Sequence, residues 1–561
     1  MPASKSRESG AKKSARVTTP AKHVAAFKKL GDAWLKETCE RFPEFGSDLG
    51  LPGFDSRLGR NLPKDHKDQT QLCKETLAAM EDLPSVAFSG DAYLDRRGFL
   101  SLLRTHLLLE GTLSRWRTNP QCHIDAAIQS IFSRVIRNSD SLGRALPAIE
   151  SRLAALPTFL KNGASCVQSP VPLWTKLAVQ ACDGGVEFFK GLEPELCRHS
   201  KSPATTTGLI DQACKAVKRY AAAIQRKAPG PKDGFSIGRD AFEILMRERL
   251  GFDQSLPEIE ANGWELIRRL ENEIAEESKR AGFSSPGEAL LSGAATWSPE
   301  RPLIEIYRET TRSIKDRVIA LDLMTMPQGE SLDVLPVPPF LRHQFPTAAY
   351  SAPPAFSKKQ RGIFWVNDLS LTTEDPRKKL AEVRQHYGVE LTAAHEAYPG
   401  HHLQFAIQNQ HASKFRRLFA HAIFYEGWTL WCEKMCVDEQ IVDLPHVRIR
   451  QLHDALWRAY RIVIDCGLHD GTLTFDGACR LLMRGVGFTR ARAEGDVSWY
   501  SSSPTVPMSY LLGRLEVERL HAHYVGREGW SLKQFNDWML SYGAIPWRWI
   551  MDSQLRPAPI N

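Results

Sequence analysis

His395, Glu396, His401 and His402 fall within one ten-residue segment, His-Glu-Ala-Tyr-Pro-Gly-His-His-Leu-Gln, that ends at Gln404. Neutral imidazole is a standard zinc ligand, and a carboxylate beside a ligand can take a proton from water that the metal activates. The segment therefore holds both halves of metal-assisted hydrolysis. Its spacing departs from the His-Glu-x-x-His helix of zinc peptidases, whose histidines sit four residues and about one turn apart. Here the next imidazoles follow His395 by six and seven residues, about 9 to 10.5 Å farther along an undistorted helix. Pro399 removes an amide hydrogen and crowds the carbonyl of His395, while Gly400 tolerates unusual dihedrals, so the pair predicts a kink or bulge that shortens the gap. On that reading His401 is the second ligand, and His402 faces a neighbouring group or the substrate. The reverse assignment stays open at this point, as does a helix and turn with merely polar surface histidines.

A catalytic zinc site needs a third protein ligand from an element packed beside the first. In Phe-Tyr-Glu-Gly-Trp-Thr-Leu-Trp-Cys-Glu-Lys-Met, Glu426 and Glu433 are seven residues apart on one helical face, among Phe424, Trp428, Leu430 and Trp431. Carboxylates on so apolar a helix need a partner, because burying an unpaired charge is costly. A metal ion is one candidate and a surface Lys or Arg is another. Asp465 and His469 have the four-residue helical spacing and form a competing pair, although Arg461 on the same face offers Asp465 an ion pair instead. Cys432 and Cys436 lie one turn apart, but without a second pair they read as core material rather than a thiolate site.

These motifs resemble a known family. The run from His395 to Gln404, Glu426-Gly427-Trp428 and Glu433 is similar to the bacterial family called domain of unknown function 885, which is grouped with the zinc-metallopeptidase superfamily. The likeness extends over nearly the whole chain. It includes Arg41-Phe-Pro-Glu-Phe-Gly-Ser-Asp-Leu-Gly50, Pro336-Val-Pro-Pro-Phe340, Ala348-Ala-Tyr350, Gly362-Ile-Phe-Trp-Val-Asn367, Arg461-Ile-Val-Ile-Asp465-Cys-Gly467-Leu-His469, and Tyr500, Pro504, Tyr510 and Gly513. The resemblance implies His395, His401 and Glu426 as zinc ligands and Glu396 as general base. A further hydrogen-bond donor to the oxyanion is expected from Tyr510, or failing that from His469. One departure is local: after Pro504 the family usually continues Gly-Gln-Ala, whereas this chain has Thr505-Val506-Pro507.

The elements that must position these groups are mainly helical. Amphipathic periodicity covers Asp91 to Leu109, Ile210 to Ile224, Ile259 to Arg280, Leu380 to His386 and Val447 to Ile464, and strand-like alternation is scarce. The exception lies between Leu335 and Leu371, where prolines precede the β-favouring run Ile363-Phe364-Trp365-Val366. Zinc peptidases commonly lay substrate along an edge strand, so this small β element is a place for a peptide backbone to pair, or simply a buried strand. The 561 residues, 42% hydrophobic and 25% charged, suffice for one elaborate helical unit over residues 30 to 561. Residues 1 to 29 carry eight Lys or Arg against one Glu, a charge of +7 out of the formal +8, and predict a disordered basic tail.

Eleven cysteines without paired spacing favour reduced thiols, no secretory signal is evident, and no run of about 18 apolar residues predicts a membrane span. The expectation is a cytoplasmic zinc peptidase acting on a peptide or small amide. Two other readings compete with it. One is a zinc hydrolase of a non-peptide amide or ester; the other is a non-catalytic helical protein whose basic tail contacts nucleic acid, which the balanced charge of the remaining chain disfavours. Arg461, Arg490 or Arg492 is a candidate for capturing a terminal carboxylate, and Glu433 for capturing a terminal amine.

Overall fold

Proline opens many of the helices, because its missing N–H costs nothing in a first turn. Pro63, Pro172, Pro203, Pro257, Pro286, Pro376 and Pro507 all occupy such positions. A computed structural model describes residues 20–337, 342, 347–442 and 446–555. Among them the chain is mainly α, with one three-stranded sheet.

In chain order, the elements that matter for the site begin with α1 (Pro20–Arg41) and α2 (Gly90–His106). The helices α3 (Gln121–Arg137), α4 (Leu142–Cys166), α5 (Pro172–His199) and α6 (Pro203–Gln225) pack on one another as a bundle. Then come α7 (Leu256–Arg280) and α8 (Leu303–Ala320), followed by the strands β1 (Glu330–Pro336), β2 (Ala348–Ser351) and β3 (Gln360–Val366). The last group is α9 (Val389–Glu396), α10 (His401–Gln408), α11 (Ala422–Asp438), α12 (Val447–Asp470) and α13 (Val506–Tyr524). Each stretch of expected helical periodicity lies largely on a helix. Residues 20–29, expected as part of the basic tail, belong instead to α1, with Phe27 buried in the core. Residues 1–19 lie outside the described residues, as does part of the Pro336 to Phe340 motif.

The sheet order is β1-β3-β2, with β1 parallel and β2 antiparallel to β3. The run Ile363 to Val366 is thus the central strand, hydrogen-bonded on both sides, and cannot lend its edge to a peptide. Alternation explains its apolar continuity. Ile363 and Trp365 enter the core of the α3–α6 bundle, while Phe364 and Val366 enter the core that surrounds α9, α11 and α13. Both outer strands, β1 and β2, have an unpaired side among the described residues, and β2 is the one whose residues line the metal cavity described below.

Helices α11 and α13 cross at two glycines. A Cβ on Gly427 would sit 2.6 Å from the Gly513 backbone, and one on Gly513 would sit 2.2 Å from the carbonyl oxygen of Ile423. Only hydrogen at both positions lets the backbones approach this closely. The crossing brings Glu426 on α11 beside Tyr510 on α13.

Candidate metal centre

The metal segment is two helices rather than one kinked helix. The first, α9, ends at Glu396; Ala397 leaves helical geometry, Tyr398–Pro399 is a cis peptide, and α10 starts afresh at His401. Gly400 is required in the turn, because a Cβ there would lie 1.9 Å from the carbonyl oxygen of His395. The Trp428 indole N–H donates to the Pro399 carbonyl at 3.0 Å, so α11 braces the turn that separates the two histidines. With the axial rise abolished, the His395 and His401 rings stand 4.9 Å apart and nearly perpendicular.

Glu426 completes the cluster. Its Oε2 lies 3.6 Å from His395 Nε2 and 3.5 Å from His401 Nε2. Tetrahedral zinc with bonds near 2.0 to 2.1 Å sets its donors about 3.3 Å apart, so these two spacings fit. Among the described residues, His395, His401 and Glu426 form the one group of three possible donors within 4.8 Å of one another, and all three are buried. Glu426 Oε2 and His401 Nδ1 have no hydrogen-bond partner, the former being the orphaned buried atom that a cation would satisfy. The far nitrogen of His395, Nδ1, meets Glu433 Oε1 at 2.7 Å, the carboxylate-to-imidazole contact that fixes a ligand's tautomer and orientation. Burial works against charge on His395, but the Glu426 and Glu433 carboxylates outweigh it and raise its pKa to about 10. Burial likewise opposes charge on Glu426, yet the two imidazoles hold its carboxyl far below the ordinary range.

A cavity of 470 Å³ opens over these groups, lined by His395, Glu396, His401, Glu426 and Tyr510 together with the β2 residues Ala348, Ala349 and Tyr350. Glu396 and Tyr510 thus face the same space as the donor set. Burial and the neighbouring Glu426 raise the Tyr510 phenol well above its usual range, which keeps it a donor. His469 is not brought there. It is fully buried on α12, stacked 5.5 Å from Phe242, with Nε2 3.2 Å from the Tyr500 carbonyl and burial lowering its pKa to about 4.

The remaining candidates have structural partners. His402 turns away from the donors, with Nε2 2.6 Å from Glu330 Oε2 and Nδ1 3.1 Å from the Tyr350 hydroxyl. Glu330 also accepts from Tyr398 and Lys315, each at 2.7 Å, tying β1 to α8 and to the turn. Asp465 and His469 approach to 3.5 Å, but Asp465 also accepts from the Met508 N–H at 3.4 Å, at the start of the helix that carries Tyr510. Thr505 takes φ 69°, the left-handed region.

Arg461 does not pair with Asp465. Its Nε donates to the Tyr500 hydroxyl at 3.0 Å, and its guanidinium lies 4.6 Å from the Tyr510 ring centroid. Arg490 bonds Glu494 and Asp476, and Arg492 stacks on Phe488 at 4.2 Å. None of these arginines lines the cavity, and Glu433 is committed to His395. Cys432 and Cys436 are buried in the core with thiols pushed up by burial, which does not suit a thiolate site. Tyr350, Tyr425 and Glu330 are the surrounding residues that spacing rules did not single out.

The sequence matches the family described as "Bacterial protein of unknown function (DUF885)" over residues 43–553, and the chain belongs to it. None of the curated proteins matches. Among solved structures, the fold resembles a "putative lipoprotein of unknown function" from Shewanella oneidensis, with a TM-score of 0.74 at 18% identity, covering 94% of this chain and 99% of the other. It also resembles a "putative lipoprotein" from Colwellia psychrerythraea, with a TM-score of 0.72 at 17% identity, covering 96% and 98%. Among the described residues no helix is long and apolar enough to cross a membrane.

Proposed function

We propose that the chain is a zinc-dependent peptidase of the metallopeptidase type, with His395, His401 and Glu426 as ligands. The observation that carries this reading is the buried donor set with Glu433 on the far nitrogen of His395 and Glu396 facing the same cavity. When bound, zinc supplies Lewis acidity that polarises a carbonyl and acidifies water. Glu396, at the last turn of α9, accepts the proton from the attacking water and returns it to the leaving nitrogen. The peptide C–N bond breaks; the water's oxygen stays on the acyl carbon and its protons go to the new carboxyl and amine groups. Tyr510 donates to the carbonyl oxygen as negative charge develops there. The free side of β2, whose residues line the cavity, accepts the substrate backbone as an added strand.

Elemental analysis of protein purified without chelator or nickel resin tests the site. Zinc near one per chain in the wild type, lost in His401→Ala, is expected; no zinc in the wild type after it is added back refutes the assignment. Glu396→Gln separates chemistry from binding, because it should keep the metal and lose hydrolysis of peptide substrates. Full activity in that variant would remove Glu396 from the mechanism. A cytoplasmic setting goes with this reading, supported by eleven cysteines that are all free. Cell fractionation tests it, and recovery with the envelope, where the descriptions of the two structural relatives point, would overturn it.

A further inference from the structure

A second cavity, of 590 Å³, adjoins the metal cavity, and Ala420 and Tyr425 line both. Its walls are largely apolar and aromatic, with Trp34, Phe42, Leu109, Leu250 and Phe419 among them. Two short π-helical turns, Leu107–Thr112 and Met246–Leu250, contribute Glu110 and Arg249 to this chamber. Such turns are rare and frequent at functional sites, because the extra residue re-aims side chains.

Arg249 is a cationic group in the chamber with no ion-pair partner. Its Nη1 donates to the Pro504 carbonyl at 2.9 Å, and among the described residues it forms no ion pair. The neighbouring Glu248 is taken by Arg97 and Arg104. Glu110 accepts from the Trp116 N–H at 3.2 Å, and the charge acting on it is that of Arg115. Asp465 accepts from the Met508 N–H and approaches His469 to 3.5 Å, and among the described residues it makes no ion pair with Arg249. Burial lowers the Arg249 pKa to about 10, with the like charge of Arg115 adding to the effect. A buried guanidinium with no ion pair, in a largely apolar chamber, is costly unless a ligand brings the counter-charge.

The path to the metal centre is short. Arg249 and Tyr425 line the same chamber, and the Tyr425 ring stands 5.9 Å from the His401 ring. A substrate group passing Tyr425 and the small side chain of Ala420 therefore enters the chamber directly from the donor set.

We propose that this chamber receives the carboxyl-terminal residue of a peptide substrate, with its carboxylate on Arg249 and an aromatic or large apolar side chain against Trp34, Phe42 and Phe419. The planar guanidinium suits a carboxylate bidentately. Hydrolysis of the last peptide bond then releases one free amino acid, whose nitrogen takes a proton while the water oxygen remains on the shortened peptide. This rests on the hydrolase reading above and narrows it to removal of residues from the carboxyl end.

The test compares Ala-Ala-Phe with its carboxyl-terminal amide, using the metal-replete full chain and the variants Arg249→Gln and Arg249→Lys. Glutamine keeps a donor for the Pro504 carbonyl, and lysine keeps the charge. Amidation should raise KM at least about tenfold in the wild type, as loss of a charged hydrogen bond predicts. Arg249→Gln should erase the preference for the free acid and Arg249→Lys should retain part of it. Calorimetry with N-acetyl-phenylalanine and its amide reads the same site without turnover, and the acid alone should bind the wild type. Equal turnover of acid and amide, a preference that survives in Arg249→Gln, or no binding of the acid overturns the proposal. Binding of the acid that depends on Arg249, in a protein that hydrolyses no peptide, would leave the carboxylate site standing and reject the hydrolase reading instead.

Discussion

Gly427→Ala is the sharpest perturbation of the scaffold that holds the donor set. The new methyl carbon would lie 2.6 Å from the Cα and carbonyl carbon of Gly513. Non-bonded carbons settle at about 3.5 to 4.0 Å, so α11 and α13 must part by about 1 Å. The obstructing atoms are backbone, and no side chain can swing away to absorb the clash. Overpacking of this kind costs about 1 to 3 kcal/mol, and a rigid obstacle argues for the upper end. Replacing glycine by alanine inside a helix returns about 1 kcal/mol, which leaves a net loss of about 2 kcal/mol. Gly495→Ala is the matched control, since Gly495 is also helical but a Cβ there meets nothing within 4 Å. That variant should gain up to about 1 kcal/mol. Urea denaturation of both variants should therefore separate them by about 3 kcal/mol, with Gly427→Ala below wild type and Gly495→Ala above it. Two variants of equal stability would refute the argument that the glycine crossing sets the spacing of these helices.

Glu433→Gln removes the charge that orients His395 and should weaken zinc binding about 10- to 100-fold in a chelator competition; wild-type affinity would show that the 2.7 Å contact is idle. Burial raises the Glu330 pKa, but hydrogen bonds from His402, Lys315 and Tyr398 outweigh it and hold it at about 2, against an ordinary 4.5. A depressed carboxyl contributes stability above its unfolded pKa and loses it as pH falls through the folded one. About 3 kcal/mol should therefore vanish between about pH 5 and pH 2, and Glu330→Gln should flatten that limb of a stability titration. Trp428→Phe orphans the buried Pro399 carbonyl and should cost about 1 to 3 kcal/mol, read by thermal or urea unfolding, with an unchanged midpoint counting against the brace.

Much of the scaffold was legible because helices announce themselves by local periodicity. The stretches around Ile210, Ile259 and Val447 needed no distant information, and Pro399-Gly400 marked an interruption between the histidines. What spacing alone could not supply was the size of that interruption. The turn depends on a close approach of Gly400 to the His395 carbonyl and on a tryptophan 29 residues away. The partner of His402, Glu330, is 72 residues earlier in the chain, on a strand whose place in the sheet has no local signature. The run Ile363 to Val366 was visible as a strand but not as the middle one, since a continuous apolar run states only that both faces are covered. His469 shared a helix face with Asp465, and that regular spacing drew attention to a pair that the fold keeps inside the protein. Arg249 was invisible for the opposite reason: a π-turn carries no periodic mark, and an unpaired arginine can be recognised only once its neighbours are in place.

The strand β3 belongs to two interiors at once. Ile363 and Trp365 supply side chains to the α3–α6 bundle, while Phe364 and Val366 lie against the half that holds the metal cluster. Neither half can open privately. Loosening the bundle would uncover one face of β3, and β3 is hydrogen-bonded to the strand whose Tyr350 and alanines wall the metal cavity. A lesion deep among the bundle helices would thus reach the donor set through the sheet, and the two halves should melt as one cooperative unit.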